Sequence, residues 1–173
     1  MKPRAEGFLP VARSDARVLV LGSMPGQKSL TESQYYAHPR NCFWPIMAKL
    51  LDFDVAVEYG QRLRLLQEGR IALWDVVASC RREGSLDSAI EKDSIVVNDF
   101  RGFFLHYRNI NRIYFNGARA ETLFTSLVLC DMQEDAREFT YCRLPSTSPA
   151  HAAMSFAEKL RNWQVVNCQN MPA

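Results

Sequence analysis

Four short apolar runs, each separated from the next by helical stripes, constrain this chain more than any other feature. They are "RVLVLG" (17–22), "RIALWDVV" (70–77), "NRIYFNG" (111–117) and "EFTYCRLP" (138–145). Each is rich in β-branched or aromatic residues, as strands buried on both faces are. Between them the apolar positions recur at helical spacing. Phe43, Ile46, Met47, Leu50 and Leu51 form one stripe, and Phe100, Phe103, Phe104 and Tyr107 a second with Asn98 as N-cap. Ala120, Leu123, Phe124, Leu127 and Val128 form a third, and Ala153, Phe156, Ala157, Leu160 and Trp163 a fourth. Strands alternating with helices imply an α/β fold, with helices covering both faces of a parallel sheet.

At 173 residues, with no internal repeat and no low-complexity linker, the chain is expected to form a single domain spanning 1–173. No apolar run approaches the roughly 20 residues that span a bilayer, and the first residues lack the apolar core of a secretory signal. A cytoplasmic protein without a membrane partner is expected. Cys42, Cys80, Cys130, Cys142 and Cys168 are odd in number and include no C-x-x-C pair, which points to reduced, mostly buried thiols. His38, His106 and His151 have no second ligand at helical or hairpin spacing, so no metal and no cofactor is expected. A net charge of +2 does not by itself announce nucleic-acid binding.

In open parallel sheets ligands bind beyond the C-terminal strand ends. The segments there read "GSMPGQKSL", "WDVVASC", "NGARA" and "PSTSPAHA", three of them rich in small polar residues, Gly or Pro. Each has a plain structural reading. "GSMPG" matches neither the phosphate loop nor the dinucleotide fingerprint and reads as a turn. In "LPSTSPAHA", Ser148 is a suitable N-cap and Pro149 a suitable first residue for the last helix, whose free N–H groups would attract an anion. In "YYAHPRNCFWP" (35–45), Asn41 can cap the helix that Phe43 begins, with Pro45 in its first turn. Adjacent Tyr35 and Tyr36 resist that reading. One ring facing the core leaves the other beside a strand end, where it suits stacking on a planar ligand.

Taken in order, "GSMPGQKSL", "YYAHPRNCFWP", "ALWDVV", "FNG" and "LPSTSPAHA" resemble the uracil-DNA glycosylase superfamily, and within it the hypoxanthine-DNA glycosylase branch. The resemblance covers nearly the whole chain. It implies a three-layer α/β/α sandwich around a four-stranded parallel sheet. It also implies a monofunctional enzyme that hydrolyses the N-glycosidic bond of deoxyinosine in DNA, releasing hypoxanthine and leaving an abasic site.

The first motif departs from the commoner pattern, because Ser23 stands where relatives carry a catalytic Asn or Asp. The hypoxanthine branch uses instead the asparagine of H-P-R-N-x-F-W, here Asn41. An amide cannot act as a general base, but it can orient a water. The resemblance places Tyr36 as the ring that stacks on the flipped base. It places Gly22, Ser23 and Met24 as the turn whose N–H groups face the leaving base, and Ser146 as a further hydrogen-bond donor. Thr147, Ser148, Pro149, Ala150 and His151 would follow as the loop that presses on DNA, with Lys28 and Arg40 as phosphate contacts. Asp75 keeps two readings: a base reader that accepts from N1–H, or a carboxylate that ties down a strand end. The expected partner is DNA carrying deoxyinosine, single- or double-stranded, met by a monomer. Uracil or mismatch excision on the same fold is one alternative. A non-catalytic module that binds damaged DNA or a nucleotide is another.

Overall fold

The computed structural model describes residues 4–132 and 138–167. In chain order the elements are β1 (Arg4–Glu6), β2 (Val18–Gly22), α1 (Gln27–Glu32), α2 (Phe43–Leu50), α3 (Tyr59–Glu68), β3 (Ile71–Asp75) and β4 (Val77–Arg81). They continue with β5 (Val96–Val97), α4 (Phe100–His106), β6 (Arg112–Asn116), α5 (Ala118–Leu127), β7 (Thr140–Leu144) and α6 (Phe156–Trp163). The strands β3-β2-β6-β7, in that spatial order, make a four-stranded sheet with every neighbour parallel.

Alternation along these strands sorts side chains to two cores. Val18, Val20, Ile71, Leu73 and Tyr114 pack on one face against Phe43, Trp44, Ile46 and Met47 of α2, Leu66 of α3 and Trp163 of α6. Leu19, Leu21, Ala72, Trp74, Ile113 and Phe115 pack on the other against the aromatic residues of α4 and Ala120, Leu123 and Phe124 of α5. The result is the three-layer α/β/α sandwich. Complete burial of residues such as Phe43, Ile46 and Leu19 stabilises by roughly 1.5–3 kcal/mol each. A strand with both faces covered therefore needs an unbroken apolar run.

One of the runs spans a boundary. Residues 70–77 read as one strand, but the parallel sheet ends at Asp75. There the N–H groups of Val76 and Val77 turn to donate to the carbonyls of Gly22 (2.9 Å) and Ser23 (3.0 Å). Val77 then opens β4, the centre of a second, antiparallel sheet of order β1-β4-β5 that packs on the α4/α5 side. Helices α1 and α3 also lie outside the four stripes, because α3 buries only Leu66 completely.

The starts of α4 and α6 differ from expectation. The cap of α4 is Asp99, whose Oδ1 accepts from the Gly102 N–H at 2.9 Å. Asn98 instead donates its amide to the Asp75 carbonyl at 2.8 Å, anchoring the end of β3. Helix α6 begins at Phe156 rather than after Ser148. Ser155 and Glu158 form a reciprocal capping box there, which satisfies two N–H groups at once. Ser148 and Pro149 are left in a turn. Ala153, Phe156 and Ala157 of the fourth stripe are accordingly exposed, and α6 turns Lys159 and Trp163 inward. The thiols differ too. Of the four described, all free, only Cys80 is buried, Cys42 and Cys142 are half-buried and Cys130 is exposed. Cys168 lies outside the described residues. No helix among the described residues is long and apolar enough to cross a membrane.

Candidate active site

The parallel register brings the C-terminal strand ends level. Gly22 stands opposite Asp75, Leu21 opposite Phe115, and Asn116 opposite Leu144. Over these ends lies a pocket of about 180 Å³. That is below the roughly 300–1,000 Å³ of pockets for drug-sized ligands, and on the scale of one ring system. Gly22, Ser23, Met24, Lys28, Tyr36, Asn41, Asp75, Ser146, Thr147, Ser148 and Pro149 all line it. Arg40, Ala150 and His151 do not; Arg40 and Ala150 are exposed outside it.

The aromatic segment before α2 is held by its own side chains. Trp44 Nε1–H donates to the Tyr35 carbonyl at 2.8 Å, and the Tyr35 N–H donates to the Tyr59 hydroxyl at 2.9 Å. Tyr35 is 3% exposed and belongs to the core. The chain then takes a left-handed turn at Tyr36, with φ of +54°. That conformation is uncommon for a bulky residue and persists only where surroundings over-determine it. It separates the two rings. Tyr36 stacks on Phe43 at 4.1 Å between centroids, with 26° between planes, and its hydroxyl reaches over Gly22. Asn41 is not itself the N-cap, which is Cys42. Its Oδ1 nonetheless accepts from the Phe43 N–H at 2.9 Å, so the amide is fixed at the start of α2 with one lone pair engaged.

A second clamp joins β6 to the segment after β7. The Asn116 amide donates to Thr147 Oγ1 at 2.9 Å, and its Oδ1 accepts from the Thr147 N–H at 2.8 Å. The Thr147 carbonyl accepts from the Cys42 N–H at 3.0 Å, tying this segment to the one that carries Asn41. Thr147 is fully buried, so its side chain braces the pocket and offers no surface to DNA. Gly117 permits the close crossing. Its φ is +95°, and a Cβ there would come within 2.9 Å of the Ser146 Cβ.

Residues 82–90 supply what the sequence reading missed. The Ser23 hydroxyl donates to Asp87 Oδ2 at 2.6 Å, the Gln27 N–H donates to Ser85 Oγ at 2.8 Å, and buried Arg82 donates to the Pro25 carbonyl. The "GSMPG" turn is thus gripped from the far side, and Ser85 and Asp87 join the pocket wall together with Asn116, His38 and Ser29. "RREGSLDS" has neither strand alternation nor a helical stripe that could have flagged it.

The pocket's electrostatics are unusual. Asp75 is 4% exposed and its Oδ2 has no hydrogen-bond partner. Burial and the neighbouring Asp87 push its carboxyl up to about 7, against the opposing charge of Arg82. Burial also raises Asp87, opposed by the Ser23 hydrogen bond and by Arg82 and Arg119. Burial and the Asp75 charge push the Tyr36 phenol far above its ordinary range, with Asn116 opposing. Among the described residues no group of His, Cys, Asp and Glu has an arrangement that could hold a metal ion.

Gly22 leaves no room for a side chain. A Cβ at that position would land on Asp75 Oδ1 and within 3.1 Å of the Tyr36 hydroxyl. Gly22→Ala is therefore expected to destabilise by about 1–3 kcal/mol, as overpacking does. The same substitution in an Asp75→Ala background should cost less than half as much. Chemical denaturation of the four proteins checks this through their coupling energy.

The family profile of the Uracil DNA glycosylase superfamily matches residues 9–169, which includes every wall of this pocket. The chain belongs to that superfamily. Among solved structures, it is similar to the solution NMR structure of a candidate uracil DNA glycosylase from Methanosarcina acetivorans. The TM-score is 0.76 and the identity 29%, covering 95% of this chain and 99% of that one. Two curated glycosylases share more sequence with it. A hypoxanthine DNA glycosylase of Methanosarcina barkeri is 35% identical over 68% of this chain and 73% of its own length. A hypoxanthine DNA glycosylase of Methanosarcina acetivorans is 36% identical over 66% of this chain and 72% of its own. A superfamily whose members cleave N-glycosyl bonds accounts for a one-ring-system pocket at the strand ends.

Proposed function

We propose that this chain is a monofunctional DNA-deoxyinosine glycosylase: it draws a deoxyinosine out of DNA, hydrolyses its N-glycosidic bond and leaves an abasic site. The observation that carries the reading is the convergence of Asn41 and Tyr36 in one pocket with Ser23. The chain's curated relatives at 35% and 36% identity act on hypoxanthine by name.

Each role has a physical basis. Extruding a nucleotide costs a few kcal/mol, least where pairing is already poor, and hypoxanthine opposite thymine pairs poorly. Tyr36, backed by Phe43, stacks on the extruded base. Asn41 Oδ1 retains a second lone pair for a water, and its amide can donate to the same water. Holding that water under C1′ supplies orientation without a base. Ser23 cannot replace Asn41, because its hydroxyl proton is committed to Asp87. The turn from Gly22 to Met24 and Ser146 face the base. Ser148, Pro149 and Ala150 are the exposed or half-buried part of the loop that meets DNA, and His151 follows them. Arg40 is exposed for a phosphate. Lys28 would first have to release Glu32, 2.6 Å away. The protein acts as a monomer, without a cofactor, on DNA.

Oligonucleotides carrying deoxyinosine, deoxyuridine, deoxyxanthosine or only normal bases test this directly. Alkali-labile sites are expected at deoxyinosine, with no strand break before alkali. Release of uracil with deoxyinosine left intact would refute the substrate. Tight binding to deoxyinosine DNA without an abasic product would refute the enzyme.

A further inference from the structure

Asp75 is buried in a pocket that, on the reading above, must receive a departing base. Its Oδ2 has no hydrogen-bond partner and its carboxyl lines the pocket beside Gly22. The charged and titratable groups facing it come from three places. Tyr36 and Tyr35 lie on the aromatic segment, Asp87 on the turn after β4, and Arg82 just beyond the end of β4. Arg82 does not line the pocket; its guanidinium donates to the Pro25 carbonyl and lies 3.9 Å from Asp87. The permanent cation in the lining is Lys28, whose ammonium is held by Glu32 at 2.6 Å. The base therefore leaves into a space with two carboxyl groups and no uncommitted permanent cation among the described lining residues. A purine anion would be repelled there, whereas a neutral purine would not.

We propose that Asp75, protonated, is the general acid of the reaction and delivers its proton to N7 of hypoxanthine as the base departs. This rests on the reading of the pocket as a deoxyinosine site and deepens it. The water oxygen held at Asn41 forms a bond to C1′ while the C1′–N9 bond breaks. The electron pair of the broken bond passes into the purine ring, which takes the Asp75 proton at N7. The attacking water gives one proton to solvent, and the Asp75 carboxylate regains one from solvent before the next turnover. The sum is deoxyinosine and water to neutral hypoxanthine and an abasic sugar, with no other reactant. Protonation at N7 draws density from the ring whose N9 carries the breaking bond. Uracil has no such nitrogen, so the device selects purines.

The environment suits the role. Burial and Asp87 hold the Asp75 carboxyl near 7, where an acid is both protonated and able to release its proton at neutral pH. The sign separates this role from that of a base reader. A general acid loses activity as pH rises through about 7, whereas a carboxylate that accepts from N1–H gains it.

The test measures single-turnover release from duplexes carrying deoxyinosine or 7-deaza-2′-deoxyinosine, by the native protein and Asp75→Asn, between roughly pH 5 and pH 9. The native rate on deoxyinosine is expected to fall about tenfold per pH unit above neutrality, and the Asp75→Asn rate to be about 10²-fold lower in mild acid and nearly flat with pH. Replacing N7 by carbon should slow the native protein severely and add little to the loss in Asp75→Asn. Melting temperature and binding to a duplex with a tetrahydrofuran abasic analogue show that the variant is folded. If it is not, the native pH slope and the native 7-deaza effect decide alone. A rate that rises through neutrality, or equal release from both duplexes, overturns the general acid. A folded Asp75→Asn with the native rate or pH slope does the same. No release of hypoxanthine from deoxyinosine by the native protein overturns the functional reading itself, a separate result.

Discussion

Replacing Asn41 with alanine is expected to slow hypoxanthine release by about 10²–10³-fold, the range found when one preorganised hydrogen-bonding group is removed from an active site. The fold should survive. Asn41 Oδ1 accepts from the Phe43 N–H at 2.9 Å, and losing that acceptor at a helix start costs about 1 kcal/mol. Asn41→Ser separates the two effects, since a serine hydroxyl can still accept from the backbone but cannot reach a water under C1′ as an amide does. Stability should return with serine and the rate should not. Single-turnover kinetics beside chemical denaturation read both quantities. Near-native turnover in Asn41→Ala would remove the water from Asn41 and direct attention to Asp75.

Trp163→Ala should have the largest effect on stability, about 3–5 kcal/mol, as for other fully buried large aromatic residues. Trp163 is 0% exposed, meets Phe43 edge-to-face at 6.0 Å, and donates its Nε1–H to the Pro145 carbonyl at 2.9 Å. At roughly 2–4 °C per kcal/mol for a chain of this size, the melting temperature falls by about 6–20 °C. Trp163→Phe keeps most of the buried ring and loses the donor, so it should recover more than half of the deficit. Pro145 precedes Ser146 and Thr147, and Thr147 braces both Asn116 and the Cys42 N–H. The alanine variant should therefore release hypoxanthine more slowly even well below its melting temperature. Thermal melts and assays at low temperature check the two consequences separately.

Much of the frame was legible in the residues. Val18 to Gly22 and Arg112 to Asn116 announce themselves because a strand covered on both faces must be apolar throughout. The stripes of α2, α4 and α5 follow helical spacing because one side of each meets a core. The β3–β4 boundary has one local mark, Asp75, which interrupts the apolar residues from Ile71 to Val77 where the parallel sheet ends, but a single polar residue does not say that the chain changes sheets. Residues 148 and 155 show another kind of failure. Both serines are credible caps, and the side-chain pair Ser155–Glu158 decided between them.

In the site, the resemblance pointed to Asn41 and Tyr36, both of which line the pocket, and the strand-end rule explains why residues so far apart from Ser146 share it. By themselves the residues determined a parallel sheet, its two covering layers and the places where its loops would gather, because those properties are written in local composition and period. The tertiary structure alone decided which groups meet there. Ser23 and Asp87 are 64 positions apart, and Asn116 and Thr147 are 31 apart. No local period records such pairs. The stretch around Asp87 carries no pattern of its own, yet it turns the pocket acidic, and Asp75 becomes a candidate acid only because the fold closes around it. Burial raises that carboxyl through desolvation and a like charge brought near, effects that exist only once the chain has folded.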